Sequence, residues 1–330
     1  MKIISALLFL LILLLPLTSM VYSQSGKVII VATIPPLAAI AREVGGERVE
    51  VYYLVPPGSD PHQYALKPED VNLVKNCDLF ISVGKEAFLG SLPENPGRIR
   101  LSWNDWLEAG IYIRDGNPHY LWLYPENAAK VAEKIYEALV SMDPGGRLYY
   151  AQKLEEFKNK IESLVEWIDE YTTASGVKGE KVVLAGAHFV PLAEAMELEI
   201  VGVLIKGEGK TPSPSEIAEI EEQIKKENVR VIIVLATQKI GDEGRIAAAI
   251  SKDTGVALVY VYGAMFSGGD SYTEHIKYTV ASITSAIEAA RSKGSITAQQ
   301  VRFSQTTLLT SLTILFLLSI IETAILVRGR

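Results

Sequence analysis

The chain has 330 residues, of which 48% are hydrophobic and 22% charged, enough to form two medium-sized lobes. Its formal net charge of −7 and the lack of a basic stripe argue against nucleic acid as a partner. The one cysteine, Cys77, cannot form an internal disulfide, and a thiolate metal cluster within one chain is excluded as well.

The N-terminal segment has the pattern of a secretory signal. Lys2 is followed by the apolar run IISALLFLLILLLPL and then by small residues, so we predict a signal peptide over residues 1–23, cleaved after Ser23. An uncleaved N-terminal anchor is the alternative, although the apolar run is short for a membrane span. No cysteine follows the run, so the sequence offers no site for lipid attachment there.

Strands alternate with helical patterns through the centre of the chain, as they do in parallel α/β sheets. A first series begins at KVIIVATI and a second at KVVLAGAH, and each continues through further apolar strands. The sequence therefore predicts an α/β fold of two parallel-sheet lobes. The predicted boundaries are residues 24–145 for the N-terminal lobe, 146–174 for a connecting helix and 175–292 for the C-terminal lobe.

The connecting helix is predicted from apolar residues at three- and four-residue steps. At 1.5 Å per residue this stretch is roughly 40 Å long, so we expect a rigid backbone that joins the lobes and permits only small hinge movement. The apolar positions are Leu148, Leu154, Phe157, Ile161, Leu164 and Ile168.

The C-terminal segment has the pattern of a membrane anchor. A polar tether is predicted over residues 293–305 and a transmembrane helix over 306–327, which is long enough to cross a hydrocarbon core of about 30 Å. Its only charged residue, Glu322, lies near the end, and VRGR closes the chain as a stop-transfer sequence would. We therefore expect the two lobes to lie on the extracytoplasmic face of the membrane, held by a single C-terminal span.

Histidine is rare, with four in the chain. His62 and His188 each follow a predicted strand, one in each lobe, and His119 lies in a loop just ahead of the central helices. Open α/β sheets bind ligands at the carboxyl ends of their strands, so the three imidazoles can converge on one cleft between the lobes and bind zinc, with the fourth position open. A single loop histidine is nevertheless more often a hydrogen-bonded surface residue than a ligand, and these spacings are not specific. The remaining histidine, His275, is predicted to lie on the surface of a helix.

The stretch KGEGKTP, residues 206–212, contains the glycine-lysine-threonine of a phosphate-binding loop. That motif requires a glycine where Leu204 stands, and a helix that begins at the lysine. Ser213 and Glu216 instead predict a capping box, with Pro214 in the first turn, so the helix begins later. Nucleotide binding is therefore not predicted for this stretch.

The chain contains the four segments GSDPHQYALKPEDV, GNPHYLWLYPENAAK, AHFVPLAEAMELEIVGVL and TPSPSEIAEIEEQIKKENV. Together these segments resemble the zinc/manganese-binding family of solute-binding proteins that serve ABC transporters. The similarity runs from Lys27 to Ala290 in collinear order. It implies a metal receptor and not an enzyme, acting as a monomer with a permease and a separate ATPase subunit.

The resemblance also implies the metal ligands. The family binds metal through the histidine of a glycine-x-aspartate-proline-histidine loop, a histidine before a tryptophan-leucine segment, and a later histidine or glutamate. These positions fall on His62, His119 and His188. A histidine at the third position gives a nitrogen-rich site, which borderline ions prefer, so Zn²⁺ is expected and Mn²⁺ is the alternative.

Two positions depart from the family pattern. The family often carries an aspartate as fourth ligand near VYVYGAM, where Tyr262 and Gly263 stand. Its tryptophan-leucine-aspartate-proline segment reads WLYP in this chain, with Tyr124 in place of the acid. The fourth ligand is therefore unassigned among water, which is favoured, Asp270 and the phenol of Tyr262.

The expected function is that of an extracytoplasmic receptor that captures a divalent transition metal and delivers it to an ABC importer. An extracellular zinc hydrolase with a three-histidine site is an alternative. The sequence has no histidine-glutamate-x-x-histidine helix, however, and no carboxylate next to a candidate ligand apart from Asp60. An adhesion ectodomain without metal is the third possibility.

Overall fold

Two four-stranded parallel sheets organise the chain, one in each of two units. The computed structural model describes residues 26–207, 210–262 and 271–292. The first unit comprises the described residues up to Val165 together with 271–275, and the second comprises the remainder. The predicted α/β fold of two parallel-sheet lobes is confirmed.

The first sheet has the strand order β2-β1-β3-β4, and every neighbouring pair is parallel. Ala32, at the end of β1, lies opposite Tyr53 on one side and Ile81 on the other. The chain adds a strand on one side of β1 and then crosses to the other, so the carboxyl ends of β1 and β3 flank the topological switch point, where such sheets bind ligands. The strands are β1 (Val28–Ala32), β2 (Val49–Tyr53), β3 (Leu79–Ile81) and β4 (Ile99–Leu101).

Proline begins three helices of the first unit, where its missing N–H costs nothing. The first of these helices has an apolar face, including Leu37 and Ile40, that is fully buried. The helices of the first unit are α1 (Pro35–Gly45), α2 (Pro68–Asn76), α3 (Trp103–Glu108), α4 (Tyr120–Leu123) and α5 (Pro125–Met142).

The second sheet repeats the topology of the first, with the order β6-β5-β7-β8. Its core is an apolar cluster of β-branched and leucine side chains from the strands, against which α8 and α9 pack. The predicted capping box is confirmed, because the Ser213 side chain accepts from the backbone N–H of Glu216 and the Glu216 carboxylate accepts from the backbone N–H of Ser213. The elements are β5 (Lys181–Gly186), α7 (Val190–Ala195), β6 (Glu199–Ile205), α8 (Pro214–Lys226), β7 (Val231–Leu235), α9 (Asp242–Thr254) and β8 (Ala257–Val261).

Two long helices contribute residues to both units: α6 (Arg147–Ala174), with 28 residues, and α10 (Tyr272–Ser292), with 21. The first is the predicted connecting helix. The prediction that Leu148 belongs to its apolar face is wrong, because this side chain is 85% exposed. Tyr150 begins the buried face instead, and at 100° per residue Leu148 lies on the opposite side of the helix. The other buried residues of the face are Phe157, Ile161, Leu164 and Ile168.

Within the described residues, no helix is both long and apolar enough to cross a membrane. The predicted signal peptide (1–23), tether (293–305) and transmembrane helix (306–327) lie outside the part of the chain that the structure describes.

Candidate metal centre

His62 lies in a single turn of 3-10 helix, Pro61–Gln63, in the segment between β2 and α2. Asp60 caps this turn, because its carboxylate accepts hydrogen bonds from the backbone N–H of His62 at 2.9 Å and from Nε2 of Gln63 at 3.0 Å. Pro61 fixes the first backbone torsion angle of the turn. The imidazole is thus held on a short, capped turn, half-buried in the first unit.

His119 is the N-cap residue of the short helix α4. Oδ1 of Asn117 accepts from its backbone N–H at 3.0 Å and lies 2.8 Å from Nδ1 of its ring. When Nδ1 donates to that oxygen, Nε2 carries the lone pair that a metal requires. The ring also packs against Trp122, at 5.0 Å between centroids, so both its tautomer and its orientation are constrained.

The two histidines of the first unit lie close together. A ring nitrogen of His62 is within 4.8 Å of a ring nitrogen of His119. Two nitrogens bound to one tetrahedral zinc ion are about 3.4 Å apart, since each Zn–N distance is about 2.0–2.1 Å. A small rotation of the side chains is therefore enough for both imidazoles to bind one ion.

A buried tyrosine supports the backbone that follows His119. The hydroxyl of Tyr272, the first residue of α10, donates to the carbonyl oxygen of Trp122 at 2.9 Å. Tyr272 is fully buried and packs edge-on against Phe157, with 6.0 Å between centroids. Burial, followed by the nearby charge of Glu126, raises the pKa of Tyr272 far above its ordinary value. The phenol therefore stays neutral and holds the short helix in place.

Tyr124, which replaces the acid of the resembled family, belongs to an aromatic cluster. Its ring lies 5.1 Å from that of Tyr112 and 5.9 Å from that of Tyr120. Asn127 accepts from the backbone N–H of Tyr112 and donates to the carbonyl oxygens of Tyr112 and Tyr120. The position thus contributes packing at the start of α5.

His188 lies just beyond the carboxyl end of β5, at the switch point of the second sheet, in a 3-10 turn (Ala187–Phe189) that leads into α7. Its Nδ1 is 3.2 Å from Oε1 of Glu243, and the two side chains are 17% and 8% exposed. Glu243 comes from the first turn of α9, where the helix dipole favours a negative charge. The histidine is thus held against a buried carboxylate.

Glu243 was not predicted from the sequence, because no carboxylate stands next to His188 along the chain, and the structure places Glu243 beside it in space. The two partners are separated by two strands and two helices of the chain. One signal was available: Glu243 stands in the first turn of the helix that follows β7, and β7 pairs with β5. Parallel neighbours bring their carboxyl ends to the same edge of a sheet.

Two side chains are candidates for the fourth ligand. Tyr262 is 49% exposed, and its carbonyl oxygen accepts a hydrogen bond from Oγ1 of Thr279, whereas Asp270 lies outside the described residues.

The prediction that His275 is a surface residue is wrong, because its side chain is buried and the residue is only 4% exposed. It lies three residues after the buried Tyr272 and therefore on the same face of α10.

Comparison with known proteins decides the family. The family model described as "Zinc-uptake complex component A periplasmic" matches residues 30–286. The chain belongs to this family. It is accordingly a metal-binding, substrate-binding protein of the kind that serves ABC transporters, and not an enzyme, so the hydrolase alternative is set aside.

Similar proteins and a structure with the same fold cover most of the chain. The manganese-binding lipoprotein MntA of Halalkalibacterium halodurans is 26% identical over 280 residues, which cover 80% of this chain and 90% of that protein. The manganese ABC transporter substrate-binding lipoprotein PsaA of Streptococcus pneumoniae is 25% identical over 289 residues, with coverages of 80% and 91%. The laminin-binding protein Lmb of Streptococcus agalactiae has the same fold, with a TM-score of 0.65 and 24% identity over 79% of this chain and 99% of that one.

Proposed function

We propose that this chain is an extracytoplasmic receptor that binds one zinc ion through His62, His119 and His188. It delivers the ion to the permease of an ABC importer, whose ATPase is a separate subunit. The observation that carries the proposal is the pair of imidazoles in the first unit, His62 and His119, whose ring nitrogens lie within 4.8 Å of each other. His188 supplies the third nitrogen, from the carboxyl end of β5.

The donor atoms favour zinc as the ion. Three imidazoles offer nitrogen alone, which zinc accepts readily, whereas manganese prefers carboxylate, carbonyl and water oxygens. The name of the matched family specifies zinc uptake, whereas MntA and PsaA are named for manganese. We assign zinc on the chemistry of the side chains. Manganese is expected to bind more weakly, and water is expected to be the fourth ligand.

The ligand assignment is tested by replacing each histidine with alanine and measuring zinc affinity by competition against a chromophoric chelator. Each of the three variants is expected to bind zinc at least about 100-fold more weakly, since loss of one imidazole removes a bond that water replaces poorly. His275→Gln is the matched control and is expected to retain the affinity of the wild type. Unchanged affinity in the variants of His62, His119 and His188 would show that the site is wrong, and tighter binding of manganese than of zinc would overturn the choice of metal.

Membrane attachment is proposed through the apolar segment 306–327. MntA and PsaA are named lipoproteins, but thiol-linked lipid attachment needs an accessible cysteine, and the one cysteine of this chain is buried at the end of α2. Burial is the main cause that raises the pKa of Cys77 to about 11, so the thiol is unreactive. The full chain is expected to sediment with membranes and a chain ending at Ser292 to remain in the supernatant.

A further inference from the structure

Glu243 is a buried acid that the proposed function leaves without a role. The residue is 6% exposed, and its Oε2 has no hydrogen-bond partner among the described residues. A carboxylate removed from water is costly unless it is paired, so a purely structural position would be better filled by an apolar side chain or an amide. Its one ionic contact among the described residues is with Nδ1 of His188, at 3.2 Å.

The surrounding backbone makes room for this carboxylate. Gly186 ends β5 two residues before His188, and a Cβ atom there would lie 2.1 Å from Oε1 of Glu243. The backbone of Gly186 is extended, with φ −140°, so glycine is required by the close approach and not by its torsion angles. Gly244 likewise lets the first turn of α9 pack tightly, since a Cβ atom there would lie 2.1 Å from the carbonyl oxygen of Lys239.

We propose that Glu243 is the positioning residue for His188. From its position 3.2 Å away, its carboxylate would accept a hydrogen bond from Nδ1–H of the neutral ring, which leaves the lone pair on Nε2 for the metal and fixes the plane of the ring. Its negative charge also offsets part of the double positive charge of an ion held by three neutral imidazoles. The inference rests on the proposed function, because it assigns Glu243 a role only if His188 binds the metal.

The test uses the near-isosteric substitution Glu243→Gln and the same zinc competition. We expect zinc affinity to fall by about 10- to 100-fold, as is usual when the partner of a ligand histidine is lost. The effect should persist in the background His62→Ala and vanish in the background His188→Ala, where no ring remains to be positioned. An equal loss in the background His188→Ala, or no loss in the otherwise wild-type protein, would overturn the inference.

A second measurement separates positioning from general damage to the fold. In the metal-free protein, ¹⁵N shifts of the His188 ring are expected to show Nδ1 protonated in the wild type and a mixture of tautomers in Glu243→Gln. If the His188 ring of the wild type is protonated on Nε2, the inference is overturned. The thermal stability of Glu243→Gln is measured separately, as the control for damage to the fold. If His188→Ala binds zinc normally, the proposed function fails together with this role, whereas loss of binding in His188→Ala without any effect of Glu243→Gln removes only the role of Glu243.

Discussion

Gly186 determines how closely α9 approaches the end of β5. Substitution by alanine would place a methyl group within 2.1 Å of the Glu243 carboxylate, so the carboxylate must move away from His188. We expect Gly186→Ala to reduce zinc affinity about as much as Glu243→Gln does, and to cost about 1–3 kcal/mol of stability through overpacking. Affinity is measured by chelator competition and stability by denaturant unfolding.

The matched control is Gly202→Ala in the neighbouring strand β6. A Cβ atom at that position would meet the side chain of Ile220 at 3.5 Å, which is ordinary van der Waals contact. We expect this variant to bind zinc as the wild type does. If the two alanine variants behave alike, the close approach at Gly186 has no bearing on the metal.

A second group of residues, centred on Asp143, is expected to contribute to stability. Asp143 accepts hydrogen bonds from Nε and Nη2 of Arg48, at 2.9 and 2.6 Å, and from the hydroxyl of Tyr150 at 2.9 Å. Burial alone would raise the pKa of the Asp143 carboxyl group, but the hydrogen bonds from Arg48 and Tyr150 and the charge of Arg48 outweigh it, so the net pKa is lowered. A carboxyl group with a lowered pKa in the folded state stabilises the protein above the pKa of the unfolded chain, near 4, and loses this contribution as the pH falls through the folded pKa.

Asp143→Asn is therefore expected to reduce the free energy of unfolding by about 2 kcal/mol or more at pH 7. The difference from the wild type should shrink as the pH falls below about 4, because the unfolded wild-type chain then gains a proton on this carboxyl group, and it should be lost once the pH has passed the lowered pKa of the folded state. Denaturant titrations across this pH range measure the difference. Glu156→Gln, which removes an exposed partner of Lys153, is the control and should change stability little; a difference for Asp143→Asn that grows on acidification would contradict a lowered pKa of Asp143 in the folded protein.

At the scale of the element, most strands and helices could be predicted from the sequence, but two short neighbouring elements of the first unit could not. The apolar runs of β1, β5 and β7 and the capping box of α8 are local signals. The strand Ile99–Leu101 and the helix Trp103–Glu108 are held by distant partners: the Ser82 backbone N–H donates to Leu101, and the Trp106 ring donates to the Ser82 carbonyl at 2.8 Å. Three strand residues carry no usable periodicity, so tertiary contacts determine these elements.

At the start of the long helix α6, the apolar pattern assigned Leu148 to the buried face, although this side chain is exposed. We expect Phe157→Ala, which empties a buried position against Tyr272, to cost about 3–5 kcal/mol. Leu148→Ala removes a side chain that is already in solvent, and should stay within about 0.5 kcal/mol of the wild type. Denaturant unfolding of both variants measures this contrast, and similar losses would mean that the buried face has been misplaced.

At the scale of the whole molecule, the family and the fold could be predicted from the sequence, because the motifs around the histidines occur in collinear order across both units. Glu243 was not predicted, because it is far from His188 along the chain and only the pairing of β5 with β7 brings the two residues together. His275 was misplaced because a helical pattern gives the period of the buried face, and a short polar stretch does not reveal which residues occupy it. The three-histidine ligand set remains a prediction.

The most direct test of that ligand set is X-ray absorption at the zinc edge on the full chain loaded with one equivalent of zinc. The spectrum is expected to require three imidazole ligands with Zn–N distances of about 2.0–2.1 Å, together with one oxygen. A zinc ion surrounded mainly by oxygen, with one imidazole or none, would contradict the assignment of His62, His119 and His188.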